Sequence, residues 1–183
     1  MSRQFSIFNF KFSIMRKDGF TLIELLAVTA IITLISAIVQ PSYKSSNKQL
    51  ALQRSVSKLA QDLRRAQEMA MSAKEVFGVI PYGFGIDFKN SWLDYYILFA
   101  DLNNNHHRDA ADQDMETIKL ESKIKISNLS PASFFSVVFA PPDPVTWIND
   151  SSSGVEAQIT LSIDGSTDNQ TIFVNNAGLI YAQ

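Results

Sequence analysis

The chain has 183 residues and a formal net charge of −2, a length that suggests one modest domain with appendages. It contains no cysteine, which excludes disulfides and thiolate metal sites. Residues 1–19 hold four basic residues and one acidic residue: Arg3, Lys11, Arg16, Lys17 and Asp18. The chain from residue 20 onward is therefore acidic on balance, which argues against nucleic-acid binding.

Residues 20–39 form an apolar run whose only charged side chain is Glu24. At about 1.5 Å per residue, a helix of this length spans roughly 30 Å, the hydrocarbon thickness of a bilayer. Such a helix satisfies its own backbone groups, so the run is predicted to be a transmembrane helix. Because Arg16 and Lys17 precede it, we expect the N-terminus in the cytoplasm and the remainder of the chain outside.

Glu24 lies near the start of this run, where a lone carboxylate costs about 2–3 kcal/mol even on lenient insertion scales. Three interpretations are open from the residues alone. The carboxylate lies at headgroup level near the helix N-terminus, where the helix dipole favours an anion. Alternatively it is protonated, or it meets a cationic partner within the membrane.

Residues 19–24, GFTLIE, follow basic residues and precede the apolar run. This arrangement resembles the processing and methylation site of type IV pilins and type II secretion pseudopilins. The resemblance implies that prepilin peptidase cuts between Gly19 and Phe20 and methylates the new amine of Phe20. It also implies that Glu24 meets the N-terminal amine of a neighbouring subunit during assembly.

The same resemblance implies that residues 1–19 are a cleaved prepilin leader with no part in the mature fold. Either Met1 or Met15 is the true start, because residues 15–19 alone would make a typical short leader. An ordinary secretory signal fits less well, since its apolar core is shorter and precedes its cleavage site.

Pro41 follows the apolar run and is expected to break or bend the helix, because proline lacks a backbone donor. It also falls where many pilins carry a helix-kinking proline. Residues 40–75 are then predicted to continue as an amphipathic helix with one apolar stripe. That stripe comprises Leu52, Val56, Leu59, Leu63, Ala66, Ala70 and Ala73.

The opposite, charged face of this second helical segment is expected to be solvated, or else to touch neighbouring subunits. Residues 59–73 also resemble a segment of the minor pseudopilin H and FimT-type minor pilins (the GspH/FimT family). Those proteins carry a similar pattern of leucine, arginine and alanine.

Residues 76–183 are predicted to form a β-rich globular head, because short β-favouring runs alternate there with turn residues. The candidate strands are residues 76–80, 85–88, 95–100, 117–120, 123–127, 135–139, 157–163, 171–174 and 179–181. The expected fold is therefore α+β, with a long N-terminal helix packed on a β-rich head. Pilin-like proteins have this shape.

One polar loop, residues 101–112, has oxygen-bearing side chains at the ligand spacing of a calcium loop. They are Asp101, Asn103, Asn105, Asp109 and Asp112. His106 stands where the sharp turn of such loops prefers glycine. The residues are equally compatible with a hairpin loop in which Asn and Asp form turns.

The resemblance favours calcium modestly, since some pseudopilins use this cation to hold a head loop. A transition metal on the adjacent His106 and His107 is a further alternative. Adjacent histidines in a polar loop are more often simply solvated. Apart from calcium, we expect no cofactor.

Catalytic motifs are absent from the sequence, which contains no HExxH, no phosphate-binding glycine loop and no Ser-His-Asp ordering. Asp87 and Asp94 are better explained as solvated turn residues than as an acid–base pair. We therefore expect a non-enzymatic protein.

Three functional hypotheses follow. The first is a structural minor pilin or pseudopilin whose partners are other pilins, prepilin peptidase, the inner-membrane assembly platform and membrane lipid. The second is a DNA-uptake minor pilin, in which Lys119, Lys123 and Lys125 share a strand face and Arg108 lies elsewhere. The third is a membrane-anchored enzyme or solute receptor whose anchor stays uncut.

Overall fold

The computed structural model describes residues 19–141 and 145–183, and it describes their side chains except at residues 38–45. The predicted leader, apart from Gly19, lies outside the described residues, and so do residues 142–144. The chain divides into two compact units, residues 1–42 and residues 43–183. The described residues form one α-helix and nine β-strands: α1 (Leu22–Met71), β1 (Gly83–Lys89), β2 (Tyr95–Asp101), β3 (Gln113–Lys119), β4 (Ile124–Ser130), β5 (Phe134–Ala140), β6 (Val145–Ile148), β7 (Glu156–Ile163), β8 (Asn169–Asn175) and β9 (Ile180–Ala182).

The N-terminus of α1 is capped by Thr21. Its Oγ1 accepts the amide N–H of Glu24 at 3.3 Å, which satisfies one of the free donors of the first turn. Glu24 is the third helical residue, so Thr21 and Glu24 have the spacing of a capping box. An acid in this first turn also interacts favourably with the helix dipole. Part of the GFTLIE sequence therefore has a local structural role at the start of the helix.

The first turns of α1 expose apolar side chains on every side of the helix. The large exposed ones are Leu22, Ile23, Leu25, Leu26, Val28, Ile31, Ile32, Leu34 and Ile35. The hydroxyls of Thr29 and Thr33 donate to the carbonyls of Leu26 and Ala30 at 3.0 and 2.8 Å. These hydroxyls thus find their acceptors inside the helix.

Across the part of the chain whose side chains are described, no helix is both long and apolar enough to cross a membrane.

Of the break or bend expected at Pro41, the break is wrong, because α-helical backbone continues from Leu22 to Met71, and the bend stays a prediction. Proline removes one backbone donor from a helix, which is a local loss. The side chain of Pro41 lies outside the described residues.

The apolar stripe on the second half of α1 is buried as predicted from Leu52 to Ala70. The helix ends at Met71, before the predicted end at residue 75. The N–H of Ala73 donates to the carbonyl of Ala70, and the N–H of Lys74 donates to that of Met69. Together with a φ of 45° at Ala73, these bonds form a Schellman cap. The last member of the predicted stripe, Ala73, is thus a capping residue outside the helix.

Two antiparallel sheets make up the head. The first sheet has the order β3-β2-β1-β5-β6, and the second has the order β4-β7-β8-β9. The inner faces of both sheets join the buried stripe of α1 in one hydrophobic core. Phe84, Ile86 and Phe88 alternate along β1 toward this core, as the period of a strand requires. The α+β prediction, with a helix on a β-rich head, is confirmed.

Eight of the candidate strands overlap an observed strand, and residues 76–80 do not. There, Val76 and Val79 exchange backbone hydrogen bonds of 2.8 and 3.0 Å across a tight turn. Phe77 and Gly78 form that turn with φ values of 51° and 80°. The sequence prediction also missed β6, whose four residues follow a proline-rich stretch.

Candidate functional sites

The first sheet has an outer face, turned away from α1, on which both sites of the head lie. Residues of β1 that alternate with its core residues belong to this face, including Gly85 and Asp87. In the strand register, Asp87 stands opposite Ser136 of β5. A Cβ on Gly85 would lie 2.7 Å from the carbonyl oxygen of Val137, so close packing requires glycine there.

Asp101 organises the polar loop from the end of β2, where its side chain is fully buried. Its Oδ1 accepts the N–H groups of Asn103 and Asn104 at 3.2 and 2.7 Å. Its Oδ2 accepts the N–H of His106 at 3.1 Å. Both Asn104 and His106 have a φ of 62°, so His106 adopts the backbone conformation that glycine would have supplied.

The other predicted ligands also accept hydrogen bonds from the loop itself. Asp112 accepts the N–H groups of Leu102 and Asp109, at 3.0 and 2.9 Å. Asp109 accepts the N–H of Ala111 and the side-chain amides of Asn103 and Asn105. The backbone bond from Ala111 is the main cause of a lowered pKa of Asp109. Burial raises the pKa of Asp112 despite its two backbone donors.

The loop therefore brings all five predicted oxygen ligands together, but their side chains already form hydrogen bonds with groups of the loop itself. Asn103 and Asn105 present amide nitrogens to Asp109, and their oxygens accept the N–H groups of Asn105 and His107. Within the described residues, no group of three or more His, Cys, Asp or Glu side chains has a metal-binding arrangement. Calcium binding by this loop stays a prediction.

The two histidines diverge from each other. The ring of His106 stacks on Trp147 of β6, with centroids 3.8 Å apart and an interplanar angle of 15°. Nδ1 of His107 lies 3.2 Å from Oδ1 of Asp150. The expectation that both rings are simply solvated is wrong for His106, whose side chain is only 15% exposed. Both contacts fasten the loop to β6 and to the turn that follows it.

A pocket of about 240 Å³ opens beside this loop, and Asp87, Lys89, Arg108, Phe134, Ser136 and Asp150 contribute to its lining. Asp87 is not a solvated turn residue, as the sequence suggested, but a buried residue of the central strand. The hydroxyl of Ser136 donates to its Oδ1 at 2.9 Å. Among the described residues, no donor reaches its buried Oδ2. Burial raises the pKa of Asp87, against the Ser136 hydrogen bond and the charges of Lys89 and Arg108.

Arg108 borders the pocket and is held by Asp114. Its Nε and Nη2 donate to the two carboxylate oxygens of Asp114 at 2.5 and 2.6 Å. This bidentate pair raises the pKa of Arg108 and lowers that of Asp114. The third guanidinium nitrogen, Nη1, lies 3.8 Å from Oδ2 of Asp87. Sequence reasoning missed this pocket; its only signal was a charged residue in the apolar strand GFGIDFK.

At the predicted processing site, Gly19 and Phe20 precede the helix, and Phe20 is 78% exposed. Glu24 is also exposed, and it forms no ion pair with any described residue. Gly19, Phe20 and Glu24 are therefore all exposed in the described chain. Cleavage, methylation and pairing of Glu24 with an amine stay predictions.

The lysines of the DNA-uptake hypothesis do not share a strand face. Lys119 lies on β3 of the first sheet, whereas Lys125 lies on β4 of the second. Lys123 stands in the turn before β4 with a φ of 71°. Nζ of Lys125 also forms an ion pair with Oδ1 of Asp164 at 2.9 Å. The predicted basic strand face is thus wrong.

The family description "Prokaryotic N-terminal methylation motif" matches residues 14–39. The match covers the GFTLIE sequence and the apolar run, and it does not extend into the head. It shows a prepilin-type methylation signal of the kind that type IV pilin-like proteins carry. Comparison with curated proteins and with solved structures gave no match.

Proposed function

We propose that this protein is a structural subunit, a minor pilin or pseudopilin, of a type IV pilus-like or type II secretion fibre. The observation that carries this proposal is the methylation motif at residues 14–39, set at the start of a capped helix with exposed apolar sides. A helix of this kind has no apolar partner among the described residues of its own unit. Packing against the same helix of other subunits would remove these side chains from water or lipid.

In this proposal the N-terminal segment is anchored in the inner membrane before assembly, with the N-terminus cytoplasmic and the head outside. Prepilin peptidase removes residues 1–19 and methylates Phe20. Glu24 then pairs with the methylated amine of a neighbouring subunit. Charge pairing in an apolar surrounding is strongly favoured over leaving the carboxylate alone, and this preference would select one register of packing.

The experiment that tests the proposal is the intact mass and N-terminal peptide of the protein recovered from membranes. We expect a chain that begins with N-methylated Phe20. The matched control is the same preparation from a host that lacks prepilin peptidase, where the leader should be retained. A chain that keeps its leader in a host with active peptidase would contradict the proposal and favour a permanently anchored enzyme or receptor.

A minor rather than major subunit is proposed because residues 59–73 resemble the corresponding segment of FimT-type and pseudopilin H proteins. The test is the copy number of this chain relative to the main subunit in isolated fibres. We expect a small fraction; a chain that makes up most of the fibre mass would contradict the minor role.

Calcium binding by the loop at residues 101–112 is a second, separate proposal. It rests on the spacing of five oxygen-bearing side chains brought together by the fold. The test is the melting temperature of the wild-type protein in calcium and in chelator. A rise with calcium would support the site, whereas identical curves would leave the loop as a turn held by its own hydrogen bonds.

A further inference from the structure

The pocket beside β1 contains a carboxylate oxygen for which the described residues supply no donor. The Asp87 side chain is only 5% exposed, yet its Oδ2 accepts no hydrogen bond. Buried polar atoms in native proteins nearly always have a partner, because an unpaired one costs about 1–3 kcal/mol. Since Asp87 lines the pocket, the missing donor can come from a molecule that occupies it.

The neighbours of this oxygen define what kind of group fits. Nζ of Lys89 and Nη1 of Arg108 each lie 3.8 Å from Oδ2, which is too far for a direct hydrogen bond. A hydroxyl group between them would donate to the carboxylate and accept from either cation. An ammonium group cannot accept, and a carboxylate or phosphate anion cannot donate. A hydroxyl group, like a water molecule, can do both.

The charges around the pocket do not select an ion. Lys89 and Arg108 face Asp87 and Asp150, and Arg108 is already paired with Asp114. An anion would meet the carboxylates, and a cation would meet the lysine and the arginine. This mixture of positive and negative side chains therefore favours a neutral ligand with several hydroxyl groups.

An aromatic ring and a second cavity suggest the shape of this ligand. Phe134 is 64% exposed and lines the pocket, so its ring is available to the apolar C–H face of a sugar. Lys89 and Phe134 also line an adjacent cavity of about 450 Å³, together with Asn90, Ser91 and Ser133. A volume of about 240 Å³ is below the range of about 300–1,000 Å³ for drug-sized ligands and suits a single ring. The adjacent cavity can take the next unit of a chain.

We propose that this head binds a neutral oligosaccharide. A hydroxyl of one sugar unit donates a hydrogen bond to Asp87 in the pocket, and the next unit lies beyond Phe134. The proposal concerns the head and is independent of the processing of the N-terminus. A fibre subunit with such a site would attach to a glycan surface or carry a glycan ligand.

The test is calorimetric titration of the full-length protein, in a detergent without a sugar headgroup, with maltohexaose, cellohexaose and chitohexaose. We expect at least one of these neutral hexasaccharides to bind. Asp87→Asn should weaken that binding about tenfold or more, because it removes a charged acceptor. Phe134→Ala should also weaken it, and this exposed position leaves the fold intact.

Phe77→Ala is the matched control, since Phe77 is an aromatic residue that is 87% exposed and does not line the pocket. Its binding should equal that of the wild type. The proposal is overturned if no hexasaccharide binds at millimolar concentration, or if binding is unaffected by both Asp87→Asn and Phe134→Ala. Tighter binding of an acidic hexagalacturonate than of any neutral chain would overturn the neutral class.

Discussion

At the scale of single residues, the buried carboxylates of the head decide how its loops are built. Asp101 accepts three backbone N–H groups from residues two, three and five positions later. Such local side-chain bonds let the backbone of Asn104 and His106 adopt left-handed conformations that are otherwise unfavourable. One aspartate thereby substitutes for the turn glycine that the sequence lacks.

Asp101→Ala should lower the stability of the head by about 2–3 kcal/mol, because it leaves these N–H groups without their acceptor. The loss of these three bonds should appear in chelator, and the total loss should be larger in calcium if Asp101 is a ligand of the proposed cation. The measurement is denaturant unfolding of the wild type and the variant in both conditions. An equal loss in both conditions would leave Asp101 with its turn-forming role alone.

Asp87 and Asp114 should contribute to stability with opposite dependence on pH. The pKa of Asp87 is raised in the folded protein by burial, so its contribution is present at low pH and falls as pH rises through the folded pKa. The melting temperature of Asp87→Asn relative to the wild type should therefore increase as pH is raised above about 4. Thermal unfolding across pH 3 to 8 measures this trend.

Asp114→Asn is the matched contrast. Because Arg108 lowers the pKa of Asp114, its contribution is present above the ordinary carboxyl pKa and falls as pH drops through the lowered value. This variant should be less stable than the wild type at neutral pH and should approach it in acid. Parallel curves for both variants would show that neither carboxylate titrates as its surroundings imply.

At the scale of elements, the spacing of apolar residues predicted most strands of the head and the buried stripe on the second half of α1. The alternation at residues 157–163 needed no tertiary information, and β7 buries Ala157, Ile159, Leu161 and Ile163 on one face. Residues 76–80 show the limit of this approach. Their apolar, β-branched composition suits a strand, but Gly78 and the left-handed Phe77 turn the chain back after one bridge.

The end of α1 offers a test of local backbone conformation. Ala73 has a φ of 45° in the Schellman cap, a conformation that costs a non-glycine residue about 1 kcal/mol. Ala73→Gly should therefore stabilise the protein by about 0.5–1 kcal/mol and raise its melting temperature by about 2–3 °C. Thermal unfolding at fixed pH measures the shift.

The control for this prediction is Ala66→Gly, in the interior of the same helix and fully buried. Here glycine adds backbone entropy and removes a packed methyl group, so the melting temperature should fall. A decrease for Ala73→Gly as well would mean that residue 73 is not held in the left-handed conformation in solution.

At the scale of the whole molecule, the roles proposed for the N-terminal motif and for the head are separate. The motif at residues 14–39 carries the evidence for processing, and the head carries a pocket that the motif does not explain. A defect in one should therefore leave the other intact.

Glu24→Gln should leave cleavage and methylation unchanged but reduce incorporation into the fibre several-fold, because it removes the charge proposed to pair with an amine. The matched control is Glu68→Gln, which makes the same chemical change at an exposed site on the same helix. The measurement is the fraction of processed subunit in sheared fibres relative to membranes. Equal incorporation of the Glu24 variant and the wild type would remove the pairing role.

The sequence by itself determined the methylation motif, the helical stripe and the α+β class, because each depends on residues close together in the chain or on a simple period. The burial of Asp87 and the pocket beside it were decided only by the tertiary structure. Asp87 and Arg108 are distant in sequence, and they meet because the loop at residues 101–112 crosses the outer face of the first sheet. No local pattern encodes such a contact, since its energy arises only when β1, β5 and the loop pack together.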